Sequence, residues 1–299
     1  MIGTASLSNI KAQRLPEENE DRHKEEFAAL LAIFQKFLDT TSDMEAWEVL
    51  EELMSLRAEF AISYAFRGFD IDYATALELL RNTSRNLSEE EKAKRDVLVA
   101  AVDNLVDFAV AEEYQVLSEF EDWMEDDGEE SDEDDDEVDG VNDKMLAIFN
   151  KYNNVYAKVE NKDTEYAMIV AAQIVAASNN TMLTYMTQGD ERVRPWHLQY
   201  EGFSAPKSQF PAWLIPPIEH ACRCFLVEDS IVAKLPDIQN AMVRVPEMPE
   251  WFNPTFKDSV AFGGRIFSDA HPYFIVDDRY ATQLKEIATR IKNKYLNGN

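Results

Sequence analysis

The chain has 299 residues, of which 45% are hydrophobic and 29% are charged, and its formal net charge is −28. This length allows a sizeable buried core and predicts about two domains. The acidic excess argues against a surface that wraps DNA, because phosphate contacts need clustered cations. The first 25 residues lack the apolar segment of a signal peptide, and no predominantly apolar stretch predicts a membrane span. Two cysteines form no disulfide framework and favour a reducing compartment.

Charge and proline divide the chain into two unlike parts. Residues 1–185 hold 16 Lys and Arg against 43 Asp and Glu, whereas residues 186–299 hold 13 against 14. Ten of the eleven prolines lie at position 195 or beyond. Because proline interrupts helices, the proline-free stretch from 17 to 194 permits long helices, and the second part does not form a helical bundle.

The first part has the apolar periodicity of helices. After Pro16, apolar residues recur at three- and four-residue intervals, the spacing of one helix face, and the pattern stops once at Gly68. Ser88 and Glu91 form a capping box, in which each side chain satisfies a free backbone N–H at the start of a long helix. The sequence therefore predicts a helical bundle domain over residues 1–123, most simply of four antiparallel helices.

A dense acidic run follows this predicted bundle. Residues 121–139 contain 14 Asp and Glu and no Lys or Arg. Like charges at this density repel one another and extend the chain, which predicts an acidic linker over residues 124–140. An acidic strip also fits docking on a basic partner surface. An EF-hand loop is excluded because Leu146 stands where such a loop needs a bidentate glutamate.

Beyond the linker, the helical period resumes and then disappears. One helix is predicted over residues 145–156, and a second, apolar on most sides and therefore buried, over residues 166–183, ending near Gly189. Short apolar runs at 224–227 and 265–267 lie between Pro and Gly clusters, which predicts a small sheet with long loops. A final amphipathic stretch predicts a C-terminal helix.

The predicted fold class is therefore α+β. It combines a mostly helical N-terminal bundle, an acidic linker and a C-terminal domain over residues 141–299 made of helices and a small sheet. The second of the two helices predicted beyond the linker is expected to be the element around which the C-terminal domain packs.

Four motifs follow one another in the C-terminal part. They consist of Asp190, Arg192, Arg194 and His197 with Gly202; Pro216 and Pro217 with Cys222, Arg223 and Cys224; Asn253 and Pro254; and Gly264 and Phe267 with His271, Pro272 and Tyr273. In this order they resemble the phage Mu F-like minor head proteins, also called phage head morphogenesis proteins. The resemblance covers about residues 160–275 and does not reach residues 1–125. Glu191, Trp196 and His220 depart from the family pattern, which indicates a divergent member.

The resemblance implies a minor structural protein of a phage virion, in the head interior or near the portal. Such a protein acts in head morphogenesis, and some members are ejected with the genome. The expected location is the virion, after synthesis in the host cytoplasm, and no enzymatic activity is expected. The expected partners are the portal, the capsid or other internal virion proteins, contacted through the acidic helical half. Binding to nucleic acid is expected to be weak or absent, and no membrane contact is expected.

The clustered histidines and cysteines leave two interpretations open. Cys222 and Cys224 are spaced to face the same side of a strand, and with His197, His220 or His271 they form a set of S and N ligands that suits zinc. The best candidate set is His197, Cys222, Cys224 and His271. Their spacing is not that of a standard zinc knuckle, and buried cysteines with hydrogen-bonded histidines are common in cores. The alternative function is a zinc-dependent hydrolase or nuclease that uses this cluster.

Three arginines of the motifs also have two interpretations. The planar guanidinium groups of Arg192, Arg194 and Arg223 bind carboxylates or phosphates. They contact packaged DNA or an acidic partner, or they tie loops together through backbone carbonyls and carboxylates such as Asp190 or Glu219. The near-neutral charge of this region favours the second interpretation. No P-loop, Gly-x-Ser-x-Gly or His-Glu-x-x-His motif is present in the sequence.

Overall fold

The computed structural model describes residue 16 and residues 19–40, 42–84, 86–127, 137–229 and 244–298. Its helices are α1 (Glu20–Leu38), α2 (Asp43–Gly68), α3 (Tyr73–Arg81), α4 (Glu89–Asp127), α5 (Glu137–Asn150), α6 (Ala157–Ala176), the short α7 (Pro195–Leu198) and α8 (Asp278–Leu296). The strands β1 (Met182–Met186), β2 (Ser204–Pro206) and β3 (Phe225–Asp229) form one antiparallel sheet. This mostly helical chain with a small sheet confirms the α+β class. Within these ranges, no helix is long and apolar enough to cross a membrane.

Local sequence signals position the N-terminal helices as predicted. The capping box at the start of α4 is confirmed: the backbone N–H of Glu91 donates to Ser88 Oγ at 3.2 Å, and the N–H of Ser88 donates to Glu91 Oε2 at 2.7 Å. The linker predicted over residues 124–140 is helical at both ends, because α4 continues to Asp127 and α5 begins at Glu137. Residues 128–136, the centre of that linker and of the predicted docking strip, lie outside the described residues.

The two helices predicted beyond the linker are one continuous helical element. A π-helical segment, Lys151–Tyr156, joins α5 to α6. Such a segment widens the turn by one residue and changes which side chains face the core. It brings Asn153 into contact with Glu113 of α4, where Asn153 Nδ2 donates to Glu113 Oε2 at 3.1 Å. α6 is buried along most of its length, as predicted.

The end of α6 corrects the sequence prediction. The helix predicted to reach Gly189 ends at Ala176, and Ala177 has an extended ψ of 142°. The polar residues 178–180 form a turn, closed by a hydrogen bond from Thr181 N to Ser178 O at 2.9 Å. The apolar residues beyond this turn form β1. The prediction failed here because a short apolar run fits a buried strand as well as it fits a helix.

β1 is the central strand of the sheet and pairs with β2 on one side and β3 on the other. Leu183 lies opposite Ala205 in β2 and Glu228 in β3. α6 contacts the sheet directly, because Gln173 Nε2 donates to the carbonyl of Leu226 at 3.1 Å. The strand predicted at 224–227 is β3, which begins one residue later, at Phe225.

The second predicted strand, at residues 265–267, is wrong, and Asn104 of α4 explains why. The backbone N–H groups of Ile266 and Phe267 donate to Asn104 Oδ1 at 2.8 and 3.0 Å. Asn104 Nδ2 donates in turn to the carbonyl of Phe267 at 2.9 Å. One buried side chain therefore satisfies the backbone groups that a neighbouring strand would otherwise satisfy.

The segments predicted as two domains share one core. α8 packs against α3 and α4, and α2 packs against α6. At the end of α2, a Cβ on Gly68 would lie 2.2 Å from the carbonyl oxygen of Glu165, so only glycine allows this approach of α2 to α6. On the surface, the guanidinium of Arg290 in α8 forms a bidentate pair with Glu51 of α2, at 2.9 and 2.6 Å.

A buried charged group lies where α2, α4 and α6 meet. Arg57 of α2 is 1% exposed. Its Nε lies 2.8 Å from Glu112 Oε2 of α4, and its Nη2 lies 3.6 Å from Glu160 Oε2 of α6. Its Nη1 donates to Asn161 Oδ1 of α6 at 3.0 Å. We call Arg57, Glu112, Glu113 and Glu160 the buried ion cluster.

The pKa values indicate how the buried ion cluster balances its charge. Burial raises the pKa of Glu113 to about 8, and the nearby Glu112 carboxylate adds to the effect. Burial also raises the pKa of Glu160 well above its ordinary value, again with a contribution from Glu112. Burial opposes the charge of Arg57, yet the carboxylates of Glu112 and Glu160 keep its pKa raised. Burial raises the pKa of Glu112 as well, although the charge of Arg57 acts against this shift. Burial therefore favours the protonated forms of these carboxyl groups, and Glu113 is mostly protonated at neutral pH.

Replacing Glu113 by glutamine should change the pH dependence of stability. The unfolded glutamate ionises near its ordinary pKa of ~4.3, whereas the folded one keeps its proton up to about pH 8. Between these values the unfolded state binds fewer protons, so wild-type stability falls as pH rises, by at most about 1.4 kcal/mol per pH unit. Urea denaturation at pH 5 and pH 8 should show this component lost in Glu113→Gln. The exposed Glu78→Gln is the control, and an unchanged pH profile in Glu113→Gln would contradict the assignment.

The shared core also predicts the outcome of cleavage in the acidic run. A protease specific for glutamate should cut at Glu129, Glu130 or Glu133, between α4 and α5. Because α4 packs on α8 and α2 packs on α6, the two fragments should elute together in native size-exclusion chromatography and separate only in denaturant. Fragments that separate under native conditions would instead indicate two independent domains.

Candidate metal centre

Three of the predicted site residues come together beside the edge strand β3. His197 lies on α7, and Cys224 directly precedes β3. Cys222 lies two residues earlier, so the two cysteines reach the site from a loop instead of from the strand predicted for them. The carbonyl of Cys224 accepts a hydrogen bond from the hydroxyl of Tyr166 on α6, which fixes the start of β3 to that helix.

The geometry of this group fits a tetrahedral zinc-ligand set. His197 Nδ1 lies 3.3 Å from Cys224 Sγ and 3.9 Å from Cys222 Sγ. All three candidate ligand atoms lie within 4.8 Å of one another, and the three residues are buried. With Zn–N near 2.0–2.1 Å and Zn–S near 2.3 Å, a tetrahedral site separates N from S by about 3.6 Å. The two observed separations bracket that value.

A carboxylate orients the imidazole of His197. His197 Nε2 lies 3.1 Å from Glu219 Oε2, the same oxygen that accepts from Trp196 Nε1 at 3.0 Å. A carboxylate accepts hydrogen bonds only, so Nε2 carries the proton and Nδ1 presents its lone pair to the two sulfur atoms. This tautomer is the one that a metal ligand needs.

Asp163 of α6 holds the loop that leads to the cysteines. Its Oδ1 accepts from the backbone N–H of Ala221 at 2.9 Å, and its Oδ2 lies 3.0 Å from His220 Nδ1. Ala221 has a left-handed φ of 55°, a conformation that costs energy in a residue other than glycine. The buried carboxylate of Asp163 therefore holds a strained turn immediately before Cys222, and His220 is engaged with Asp163 instead of joining the group.

Two of the three arginines tie loops together. Arg223 Nη2 donates to Asp190 Oδ1 at 2.7 Å. Arg194 Nη2 donates to the carbonyl of His220 at 2.8 Å, and its Nε lies 3.3 Å from Glu219. Arg192 is exposed, and its backbone N–H donates to Asp190 Oδ1 at 3.1 Å.

The two thiols differ in acidity. Burial raises the pKa of the Cys222 thiol well above its ordinary value. A hydrogen bond with Cys222 lowers the pKa of Cys224 against the effect of burial, and Tyr185, Arg194 and Arg223 contribute in the same direction. The side chain of Tyr185 on β1 is fully buried, with its hydroxyl beside the Cys224 sulfur.

His271, the fourth predicted ligand, lies elsewhere. Its ring packs edge-on against Phe108 of α4 and against Tyr273, at centroid distances of 5.0 and 4.3 Å. Its Nδ1 accepts from the backbone N–H of Tyr273 at 3.3 Å. Burial lowers the pKa of His271 to about 4, with a further contribution from the charge of His220, so it is a neutral core residue at physiological pH.

Other motif residues form turns or line a cleft. Gly202 has a φ of 81° in the turn before β2, and a Cβ on Gly264 would lie 2.9 Å from the Cβ of Asp258. A cleft of about 530 Å³ is bordered by Asn253, His271, Pro272 and Tyr273 of the motifs, together with Lys151, Glu160 and His220. The hydroxyl of Tyr273 donates to Glu160 Oε1 at 2.8 Å and so connects this cleft to the buried ion cluster.

Sequence reasoning missed several residues that build these sites. Asp163 and Asn104 are distant from the motifs in sequence, and Tyr185 lies five residues before Asp190. All three contact motif residues only in the folded chain. None of them gave a signal, and Asp163 lies between the helices predicted over residues 145–156 and 166–183.

Comparison with models of known protein families, with curated proteins and with solved structures gave no match for this chain. The similarity to the Mu F-like family therefore rests on the motif residues alone and stays a prediction.

Replacing Tyr166 by phenylalanine should destabilise the site through Cys224. The change removes the donor to the buried carbonyl of Cys224, and an unsatisfied buried acceptor costs about 1–3 kcal/mol. Urea denaturation should show a lower free energy of unfolding by that amount. Tyr156→Phe is the matched control because Tyr156 is 40% exposed. Equal stability of the two variants would show that the hydrogen bond contributes little.

Proposed function

We propose that this chain is a minor structural protein of a phage virion, a divergent relative of the Mu F-like minor head proteins. Its place is the head interior or the portal vertex, and its role is head morphogenesis, with ejection alongside the genome as in some members of that family. It is made in the host cytoplasm and acts without catalysing a reaction. The ordered motifs between Asp190 and Tyr273 support the proposal.

The observation that carries the proposal is that motif residues are bonded to one another and to the helices beneath them. Arg223 pairs with Asp190 across 33 residues of sequence. His197 contacts Cys224, and Tyr273 donates to Glu160 of α6. Polar side chains bonded in this way make the loops rigid and hold them on the helices. Such rigidity suits a structural role.

The acidic half suits docking on other proteins. Several of its lysines lie in ion pairs with neighbouring carboxylates, as in Lys36–Glu52, Lys94–Glu90, Lys151–Glu119 and Lys158–Glu20. The large excess of carboxylates in residues 1–185 therefore dominates the electrostatic potential of this half. Packaged DNA repels such a surface, whereas a cationic patch on the portal, the capsid or another internal protein attracts it.

One observation favours the alternative, a zinc-dependent hydrolase or nuclease. Three protein ligands with a fourth position left for water are the arrangement of catalytic zinc sites. Against this, His197 is 2% exposed, Cys222 4% and Cys224 3%, which leaves little room for a substrate to reach a metal held there. Turnover of a nucleic acid or a peptide by the zinc-loaded protein, lost in Cys222→Ser, would favour the alternative.

Neutralising the acidic run should lower incorporation into particles. The test replaces each Asp and Glu of residues 125–139 by Asn and Gln in the phage that encodes the chain, which keeps the length of the segment. Loss of attraction to a cationic partner should reduce the copy number per particle several-fold, measured by quantitative mass spectrometry of purified heads. In vitro, binding to the partner should weaken as salt rises from low to physiological strength.

A variant with the same acidic residues in shuffled order is the matched control. It keeps the charge, so it should be incorporated like the wild type. Unchanged incorporation of the neutralised variant would overturn the docking role, and absence of the wild-type chain from purified particles would overturn the virion assignment itself.

A further inference from the structure

We infer that His197 Nδ1, Cys222 Sγ and Cys224 Sγ bind one zinc ion, which fastens α7 and the loop before β3 to the sheet. Zinc is the metal that best suits two thiolates and one imidazole in a tetrahedral arrangement. The site is independent of the virion role, because its ligands and its test involve no other protein.

The first support is the convergence of the three ligand atoms. They come from two segments 25 residues apart and lie within 4.8 Å of one another, with N–S separations on either side of the tetrahedral value. The side chain of His197 is also held from behind. Glu219 accepts from its Nε2, as carboxylates do behind metal-bound histidines, and Arg194 and Trp196 fix Glu219 in turn.

The second support comes from the surroundings of Cys224. The hydroxyl of Tyr185 is fully buried next to the Cys224 sulfur and interacts with it, and the carbonyl of the same residue is held by Tyr166. Neighbouring groups that orient the ligand residues in this way are typical of metal sites.

Two other states of the cysteines are distinguishable from zinc binding. Two thiols packed as small core residues release no metal. A disulfide between Cys222 and Cys224 removes both thiols and binds no zinc. Zinc binding uses both sulfur atoms together with the lone pair of His197 Nδ1.

The surroundings assign the ion a structural role. The three strands have only five, three and five residues, and most of the segment between β2 and β3 is loop. Sheets of this size depend on packing against other elements for their stability. A zinc ion links α7 to the start of β3 where the sheet contributes few hydrogen bonds.

The test measures metal content in the full chain, purified without chelators. Elemental analysis should find one zinc per chain, and Cys222→Ser and Cys224→Ser should each lose it. His220→Asn is the matched control: it lies in the same loop, keeps a donor towards Asp163 and should retain zinc. Glu219→Gln should weaken zinc binding roughly 10- to 100-fold in competition with a chelating dye.

A second measurement decides the matter where a cysteine variant fails to fold. The unchanged chain, stripped of zinc and loaded with Co²⁺, should show the intense d–d bands of tetrahedral cobalt and a thiolate-to-cobalt charge-transfer band. Both cysteines should react with a thiol reagent faster after chelation than before it. A folded chain that takes up neither metal overturns the proposal. So does a mass lower by the two hydrogens of a disulfide.

Discussion

The buried guanidinium of Arg57 constrains the rest of the structure. Removing such a charge from water is costly, and it is compensated only where several acceptors meet it in good geometry. Glu112 of α4 and Glu160 of α6 place carboxylate oxygens 2.8 and 3.6 Å from the guanidinium nitrogens, and Asn161 of α6 accepts a hydrogen bond from it. A shift of one of these helices by a single turn would leave the guanidinium without a partner inside the core. The cluster therefore fixes the relative positions of α2, α4 and α6.

α6 transmits this constraint to the C-terminal part. Glu160, Asp163 and Tyr166 follow one another at intervals of three residues, and each bonds a different segment. Glu160 accepts from Tyr273, Asp163 holds the loop at His220, and Tyr166 donates to the carbonyl of Cys224. Because all three belong to one rigid helix, the position of the cysteine loop relative to the ion cluster is determined over two helical turns. These contacts explain why the carboxyl groups of Glu160 and Asp163 are buried in α6.

The parts of the fold that were predicted correctly are those set by neighbouring residues. The start of α4 follows from Ser88 and Glu91 alone, since the capping box is complete within four residues. The predictions for the residues of β1 and for the segment at Ile266 were wrong because the structure of these residues depends on distant parts of the chain. Whether an apolar run forms a helix, a strand or an extended segment depends on which distant backbone or side chain pairs with it, as Asn104 does with Ile266 and Phe267.

The residues of the candidate site also divide into those that the sequence identified correctly and those that it did not. Residue type and spacing were sufficient to select His197, Cys222 and Cys224, because thiols and imidazoles are uncommon and close together in this sequence. They also selected His271, which the structure places outside this group. Its ring is enclosed by Phe108 and Tyr273, and no pattern within the motif reveals that a helix 160 residues earlier covers it.

The two polar sites of the core differ in how their charge is compensated. The buried ion cluster sits among long helices, where burial raises the pKa values of Glu112, Glu113 and Glu160 and the charge of Arg57 opposes the shift. The cysteine site sits among loops and a sheet whose strands have five, three and five residues. Zinc at this site, as proposed above, would add folding energy that does not depend on the size of the surrounding core.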